Sequence, residues 1–295
     1  MEVQCPVCKR MIHGTVELDF CPYCRSYIGP PRPFRIEAED FSAPEDREAT
    51  EHLREIPFLE QIVGKALTTL QKPFVWGKLL KRCSELDFSH PLWHLVMDIA
   101  GRLCLDKAPR IFICRDGEPA STMGSRDDPL IIIRYSMLKV VGRDELEAIL
   151  AHEIAHIKAR HTEYFTLLRL ILEGFLTAIG GSLITDLLAN LLLNKWRRAA
   201  ELSADRGSLI ATGSSSSMKS ALLKLHGYDP SNRDLKLEDP SSLEKIIRSL
   251  ESHPDIKERI KALDVFYGSM EYREVREKVE KNEEIKKIFN DDMRR

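Results

Sequence analysis

The segment His152-Glu153-Ile154-Ala155-His156 is the feature that most constrains how this chain can fold. On an α-helix, two imidazoles four residues apart project from one face and can bind a single metal ion. Apolar residues recur at helical spacing from Arg143 to Ile157, so the sequence predicts an amphipathic helix packed against other elements. Asp144, followed by Glu147, indicates a capping box at its start. The alternative is a surface helix with two solvated histidines.

This arrangement of residues is typical of zinc hydrolases. In such a site His152 and His156 bind the ion, and Glu153 removes a proton from the attacking water. A catalytic zinc has three protein ligands, so a third residue must come from elsewhere in the chain.

Several candidates for the third ligand follow the second histidine. The metzincin pattern fails, because Ala159 and Thr162 stand where it requires glycine and histidine. We interpret His161 as a histidine at a helix end, where positive charge is favourable. Glu163 and Glu173 are further candidates, but neither has a partner at a supporting position.

Glu201 and Asp205 form a better candidate pair, since two carboxylates four residues apart share one face of a helix. Glu201 would then be the ligand, and Asp205 would accept the second N–H of a ligating histidine and orient its ring. The alternative is a solvated, charged helix face, which the nearby Arg197, Arg198 and Arg206 favour.

Four cysteines near the start of the chain indicate a second metal site. Cys5 and Cys8, and Cys21 and Cys24, form two Cys-x-x-Cys motifs with twelve residues between them. Four thiolates on two short turns suit a tetrahedral structural Zn²⁺ and predict a zinc ribbon, with Met11 to Phe20 as the connecting hairpin. The alternative is a pair of redox motifs, which would need a surrounding βαβ pattern.

Length and charge exclude some classes of protein. A chain of 295 residues can form one main domain and a small one, and a net charge of −2 does not favour nucleic-acid binding. Met1 to Lys9 lacks the apolar core of a secretory signal, so we expect a cytoplasmic protein. In that compartment the seven cysteines are expected to be metal ligands or thiols, not disulfides.

The periodicity predicts a mainly helical α+β fold. His90-Pro91 opens a helix that continues to Leu103, and the acidic run Glu37 to Glu48 is interpreted as a polar linker. The expected organisation is a zinc ribbon (1–35), a linker with N-terminal helices (36–87), a catalytic domain (88–268) and a charged C-terminal helix or tail (269–295).

Short apolar runs at Ile111 to Cys114 and Leu130 to Ile133 predict strands. The segment Ala120 to Gly124 between them is either an edge strand or an ordinary loop. As an open edge it would pair with the backbone of an extended peptide. The candidate substrate-binding residues are therefore Ala120, Ser121, Thr122 and Met123.

The segment 165–193 is the most apolar part of the chain. Two membrane spans need about 40 residues, and a single span would separate the histidines from Glu201. Charges at Arg169, Glu173 and Asp186 favour a helical hairpin packed on the domain, with peripheral membrane contact as the alternative.

Three motifs in order resemble the HtpX-like branch of the gluzincin metallopeptidases, whose clan also contains the type I CAAX prenyl proteases. The resemblance covers about residues 88 to 266. The motifs are His152 to His156, Arg198 to Asp205, and Ser252-His253-Pro254 followed by Arg259-Ile260.

The resemblance implies a zinc endopeptidase. His152, His156 and Glu201 would bind one catalytic zinc, with Glu153 as the general base and Asp205 behind the ligands, while the cysteines would hold one structural zinc. His253 would assist at the developing oxyanion, or would simply precede a helix N-terminus. The alternative function is a non-catalytic zinc protein whose ribbon docks a protein partner.

The chain departs from the family pattern in two places. Pro119-Ala120 replaces a common Asn-Ala at the substrate-facing edge, which puts the local backbone hydrogen bonds in doubt. The membrane-embedded members carry long N-terminal transmembrane helices, where this chain has the ribbon. Their substrates are therefore not carried over.

Overall fold

The computed structural model describes residues 2–13, 18–55, 61, 63–64, 67, 81, 83–172, 193–226 and 254–293. His253 and most of the apolar segment 165–193 lie outside these ranges, so their predicted roles are not addressed by the fold. Within the described ranges, no helix is both long enough and apolar enough to cross a bilayer.

The described elements are short strands, all in the first half of the chain, and longer helices that dominate the second half, as expected for a mainly helical α+β fold. The strands are β1 (Glu2–Gln4), β2 (Met11–His13), β3 (Cys83–Glu85), β4 (Arg110–Cys114), β5 (Ala120–Ser125) and β6 (Asp128–Arg134). The helices are α1 (Pro44–Arg54), α2 (Pro91–Arg102), α3 (Arg143–Lys158), α4 (His161–Leu172), α5 (Leu193–Thr212), α6 (Ser215–Leu225), α7 (Pro254–Tyr267) and α8 (Met270–Met293).

The main sheet has the strand order β3-β4-β6-β5. β4 and β6 are parallel, and β5 pairs antiparallel with β6 at the sheet edge, so segment 120–124 is an edge strand and not the alternative loop. Cys83 on β3 and Cys114 on β4 face each other and form a disulfide. The expectation that no cysteine would form a disulfide is therefore wrong, because antiparallel pairing brings these two residues into direct register.

Helix α3, which contains the histidine motif, is the centre of the core. Its residues Ala151, Ile154 and Ala155 are fully buried, and α5 packs closely along it. A Cβ atom at Gly207 of α5 would lie 2.4 Å from the Cβ of Ala155, so glycine is required at this helix crossing. This close contact brings the helix of His152 and His156 next to the helix of Glu201.

The cap of α3 differs from the sequence prediction. The helix is preceded by Gly142, whose N–H donates to the Glu145 carboxylate over 2.6 Å. Asp144 and Glu147 do not form the box, because the helix starts at Arg143, two residues earlier than that pairing requires. Glu147 instead accepts a hydrogen bond of 2.6 Å from Arg102 on α2.

The acidic run Glu37 to Glu48 is packed and does not form a free linker. Ile36 and Phe41 are fully buried, and Asp46, at the start of α1, is 2% exposed. Helix α1 lies against α5. The prediction of a polar linker is wrong, because a few buried apolar residues such as Phe41 anchor this segment to the domain.

The cysteine-rich region is attached to the main domain. β2 pairs with β1 around the first Cys-x-x-Cys turn, so Met11–His13 does not belong to a hairpin between the two turns as predicted. After the second turn, the Ala108 N–H donates to the Arg25 carbonyl over 2.9 Å. The Arg25 guanidinium lies 2.5 Å from the Asp128 carboxylate on β6. The second turn thereby contacts the sheet.

The C-terminal segment is a packed helix and not a solvated tail. Tyr272, Val275 and Val279 of α8 are buried, at the three- and four-residue spacing of one helix face. Asn282 donates a 2.7 Å hydrogen bond to the Phe34 carbonyl, and Lys286 pairs with Asp98 at 3.0 Å. The sequence did not indicate this packing, because the few apolar residues of the segment are outnumbered by Glu and Lys.

Candidate metal centre

Three side chains from α3 and α5 converge on one point. The Nε2 atoms of His152 and His156 lie 3.1 Å apart, and the Glu201 carboxylate lies 3.3 Å from the first and 3.7 Å from the second. Tetrahedral ligands about 2.0–2.1 Å from a zinc ion are about 3.3 Å from one another. The spacing of the three donor groups therefore fits Zn²⁺.

The ligand candidate His152 is held from behind by a carboxylate. Its Nδ1 lies 3.0 Å from the Asp205 carboxylate, and both residues are buried. Asp205 in turn accepts hydrogen bonds of 2.8 and 2.7 Å from Arg259 on α7, and Arg259 also lies 3.0 Å from Glu201. Arg259 belongs to the third sequence motif, whose spacing alone indicates no role for it.

The electrostatics of the site follow from burial and from these pairs. Burial opposes ionisation of Glu201, but Arg259 and His152 outweigh it and hold the pKa of that carboxyl well below its usual range. For His152, burial alone would lower the pKa of the imidazole. The hydrogen bonds to Asp205 and Glu201 outweigh burial and raise this pKa to about 10. For Glu153, burial outweighs the attraction of His152 and Arg259, and its pKa is raised to about 7.

The prediction that His161 lies at a helix end where positive charge is favourable is wrong, because His161 begins a new helix. It opens α4, is 3% exposed, and its Nδ1 lies 2.9 Å from the Nδ1 of His156. Its Nε2 lies 3.0 Å from the Asp46 carboxylate on α1. The contact with Asp46 spans 115 residues, and no sequence pattern pointed to it.

The other ligand candidates do not join the cluster. The Glu163 carboxylate accepts the backbone N–H of Arg126 over 3.1 Å and pairs with Arg160 at 2.9 Å. These contacts direct it towards the end of β5. Glu173 lies outside the described residues.

A cavity of about 640 Å³ opens beside the three ligand candidates. Glu153 and residues 120–123 of β5 line it together with the two histidines and Glu201. One wall is apolar, formed by Ile149, Met218 and Leu222. The structure thus places the predicted edge segment next to the predicted metal ligands.

The register of β5 shows which backbone groups face this cavity. The Arg134 N–H on β6 donates to the Pro119 carbonyl over 2.9 Å, so alternate residues from 119 onwards face β6. Ala120, Thr122 and Gly124 therefore direct their backbone groups to the open edge. The Gly124 N–H already donates to the Thr166 hydroxyl over 2.9 Å, which closes the edge at that end.

Pro119 does not disturb the open edge. Because residue 119 faces β6, its missing N–H removes a hydrogen bond on the β6 side only. The replacement of Asn-Ala by Pro119-Ala120 therefore leaves the backbone groups of the open edge intact.

The four N-terminal cysteines form a second cluster. The sulfur atoms of Cys5 and Cys24 lie 3.7 Å apart, and those of Cys8 and Cys21 lie 3.8 Å apart. Tetrahedral thiolates about 2.3 Å from a zinc ion are about 3.8 Å from one another. The chemistry and the spacing of this donor set fit a structural Zn²⁺.

The fold and the histidine–glutamate arrangement define a gluzincin-type zinc metallopeptidase. The sequence model of Peptidase family M48 matches residues 117–266, and the chain belongs to this family. This confirms the resemblance inferred from the three motifs.

Similar proteins support the same assignment. The chain is 29% identical over 294 residues to the chloroplastic plastoglobule-localized metallopeptidase 48 of Arabidopsis thaliana, covering 90% of this chain and 83% of that protein. It is 26% identical over 257 residues to a protease HtpX homolog of Moorella thermoacetica, covering 74% and 85%. A homolog from Janthinobacterium is 26% identical over 233 residues, covering 66% and 79%. No solved structure matches.

The chain is therefore a zinc-dependent metalloendopeptidase that acts on protein or peptide substrates. The alternative of a non-catalytic zinc protein is not favoured.

Proposed function

We propose that His152, His156 and Glu201 bind the catalytic zinc and that Glu153 is the general base for peptide-bond hydrolysis. The observation that supports this assignment is the convergence of the three donor groups with Glu153 in one cavity. Asp205, held by Arg259, fixes the ring of His152 so that its Nε2 faces the ion.

The reaction follows from the environment of these residues. Zinc, when bound, supplies a Lewis acid that polarises the scissile carbonyl and lowers the pKa of water. Glu153 accepts a proton from the attacking water and passes it to the leaving amine. Burial raises the pKa of Glu153 to about 7, which suits a group that both takes and returns a proton near neutral pH.

We propose that the substrate adds a strand to β5. Ala120 and Thr122 offer backbone groups at the open edge, while the hydrogen bond from Gly124 to Thr166 ends it. Ser121 and Met123 alternate with them and pair with β6, which holds the segment in the sheet. A peptide would therefore be read mainly through its backbone over a short length next to the metal ligands.

His253 is proposed to stabilise the oxyanion, on the basis of its motif alone. It lies outside the described residues, directly before α7. Arg259 on α7 lines the cavity. This contact supports the proposal that the N-terminus of α7 lies near the site.

We also propose a second, structural zinc at Cys5, Cys8, Cys21 and Cys24, in a ribbon that spans residues 1–35. The fit of the four sulfur atoms supports the ion. Val7 and Tyr23 are exposed on this region and support its use by a protein partner.

The proposed domain organisation keeps a catalytic domain at 88–268 and a C-terminal helix at 269–295.

A cytoplasmic location is part of the proposal and is supported by four thiolates suited to zinc, since thiols persist in reducing compartments. The Cys83–Cys114 disulfide argues for an oxidising compartment instead. Fractionation of cells that produce the protein tests the location, and recovery outside the cytoplasm would contradict it.

Metal counting tests the two sites separately. We expect about two zinc ions per chain, and about one in Glu201→Gln, because a neutral amide is a poor zinc ligand. Hydrolysis of casein should be lost in this variant, with the products identified by mass spectrometry. A Cys8→Ser, Cys24→Ser variant should also bind one ion, at the other site.

Adding 1,10-phenanthroline should abolish casein hydrolysis by the wild-type protein. A Glu201→Gln protein that keeps its full zinc content would contradict the assignment of that ligand. A folded protein that binds zinc at both sites and cleaves no peptide would contradict the proposed reaction.

A further inference from the structure

A buried chain of hydrogen-bonding groups leads away from the second ligand candidate. The Nδ1 atoms of His156 and His161 lie 2.9 Å apart, and the Nε2 of His161 lies 3.0 Å from the Asp46 carboxylate. All three residues are at most 3% exposed. Trp196 packs edge-on to the His161 ring at 5.6 Å, which shields the chain from water.

Only one arrangement of hydrogens satisfies all three groups with a metal present. If the Nε2 of His156 binds zinc, its Nδ1 carries the hydrogen and donates to the Nδ1 of His161. The hydrogen of His161 must then be on Nε2, where it donates to Asp46. The carboxylate at the far end thus selects the tautomer that His156 needs as a ligand.

The Asp46 carboxylate is itself firmly held. It accepts a 2.6 Å hydrogen bond from the Ser203 hydroxyl and a 3.2 Å hydrogen bond from Thr50. The Ser203 oxygen also accepts the backbone N–H of Ala43 over 2.8 Å. Since Ser203 lies two residues after Glu201 on α5, the start of α1 is connected directly to the helix of the third ligand.

The two histidine ligands are therefore supported by different routes. His152 contacts the Asp205 carboxylate directly, whereas His156 reaches Asp46 through a second imidazole. Asp46 also lies outside residues 117–266, the part of the chain that matches the family.

We propose that His161 and Asp46 are positioning residues for His156. Helix α1, which carries Asp46, thereby supports the metal centre. The inference rests on the proposed ligand role of His156. His161 and Asp46 contact neither substrate nor metal and act by fixing the orientation and tautomer of the ligating ring.

Zinc affinity is the measurement that tests this inference. Asp46→Asn is nearly isosteric, but its amide no longer provides the ionised acceptor, and His161→Phe removes the relay. Loss of such an outer contact typically weakens metal affinity about 10–100-fold, and we expect this range for both variants in competition with a chelator. The cysteine-bound zinc should remain, and an unchanged circular-dichroism spectrum shows that the rest of the chain is folded.

Asp40→Asn is the matched control. Asp40 lies in the same segment, but its carboxylate pairs with Lys278 and with the Glu37 N–H, away from the metal centre. It should leave zinc affinity unchanged. Excess zinc should restore casein hydrolysis to Asp46→Asn, which loss of a purely structural contact would not allow.

The outcomes separate the relay from the function on which it rests. Zinc affinity within twofold of wild type in folded Asp46→Asn and His161→Phe would overturn the relay. If Glu201→Gln also left zinc binding unchanged, the proposed site itself would fail. If Glu201→Gln loses the catalytic zinc while Asp46→Asn keeps wild-type zinc affinity, the relay is overturned and the proposed metal site stands.

Discussion

Replacement of Glu153 by glutamine is expected to leave both zinc ions in place and to reduce peptide hydrolysis about 10²–10⁴-fold. The side chain is 6% exposed and lines the cavity beside the ligand candidates. An amide of the same size preserves packing but cannot accept the proton of the attacking water. The measurement is kcat on a protein substrate, with zinc content determined on the same preparation.

Glu147→Gln on the same helix is the matched control for Glu153→Gln. Its carboxylate pairs with Arg102, away from the cavity, so hydrolysis should stay within about twofold of wild type, as for most surface changes. Persistent cleavage by purified Glu153→Gln would refute the assigned base. Loss of zinc from that variant would show that Glu153 supports the ligands instead.

Replacement of Arg259 by methionine is expected to cost about 3–5 kcal/mol of unfolding free energy, since it leaves buried carboxylates without their cation. Arg259 donates two hydrogen bonds to Asp205 and lies 3.0 Å from Glu201. Asp205 is 2% exposed, so water cannot replace the guanidinium. Chemical denaturation of the zinc-loaded protein measures the loss.

Arg259→Lys should recover only part of this stability, because an ammonium group cannot donate in the same two-pronged geometry. Arg198→Met provides the control. Arg198 lies 3.8 Å from Asp255, and both side chains are largely exposed, so its loss should change stability by less than about 1 kcal/mol. Equal losses in Arg198→Met and Arg259→Met would contradict the role of burial.

The parts of the fold that were predictable depend on local periodicity. Helix α3 was identified from apolar spacing, and the strands β4 and β6 from short apolar runs. The edge position of β5 was one of two interpretations, and pairing with β6 decided between them. The packing of Glu37 to Glu48 and of α8 was not predictable, because their few apolar residues are outnumbered by charges.

The candidate site shows the same division. The motif spacing pointed to His152, His156 and Glu201, and the structure brings their donor atoms within 4.8 Å of one another. Arg259 was present in a quoted motif without a role. Asp46 was missed altogether, because an aspartate in an acidic run has no periodicity that distinguishes it from its solvated neighbours.

The amino-acid sequence by itself determined the chemistry of this protein: two imidazoles on one helix turn, a distant glutamate, and four paired cysteines. These are properties of short spacings, which helix and turn geometry convert directly into ligand sets. Only the tertiary structure decided what supports the ligands and where a peptide can bind. The contacts of Arg259, of His161 with Asp46, and of β5 with α4 join residues far apart in the chain, and packing alone selects such partners.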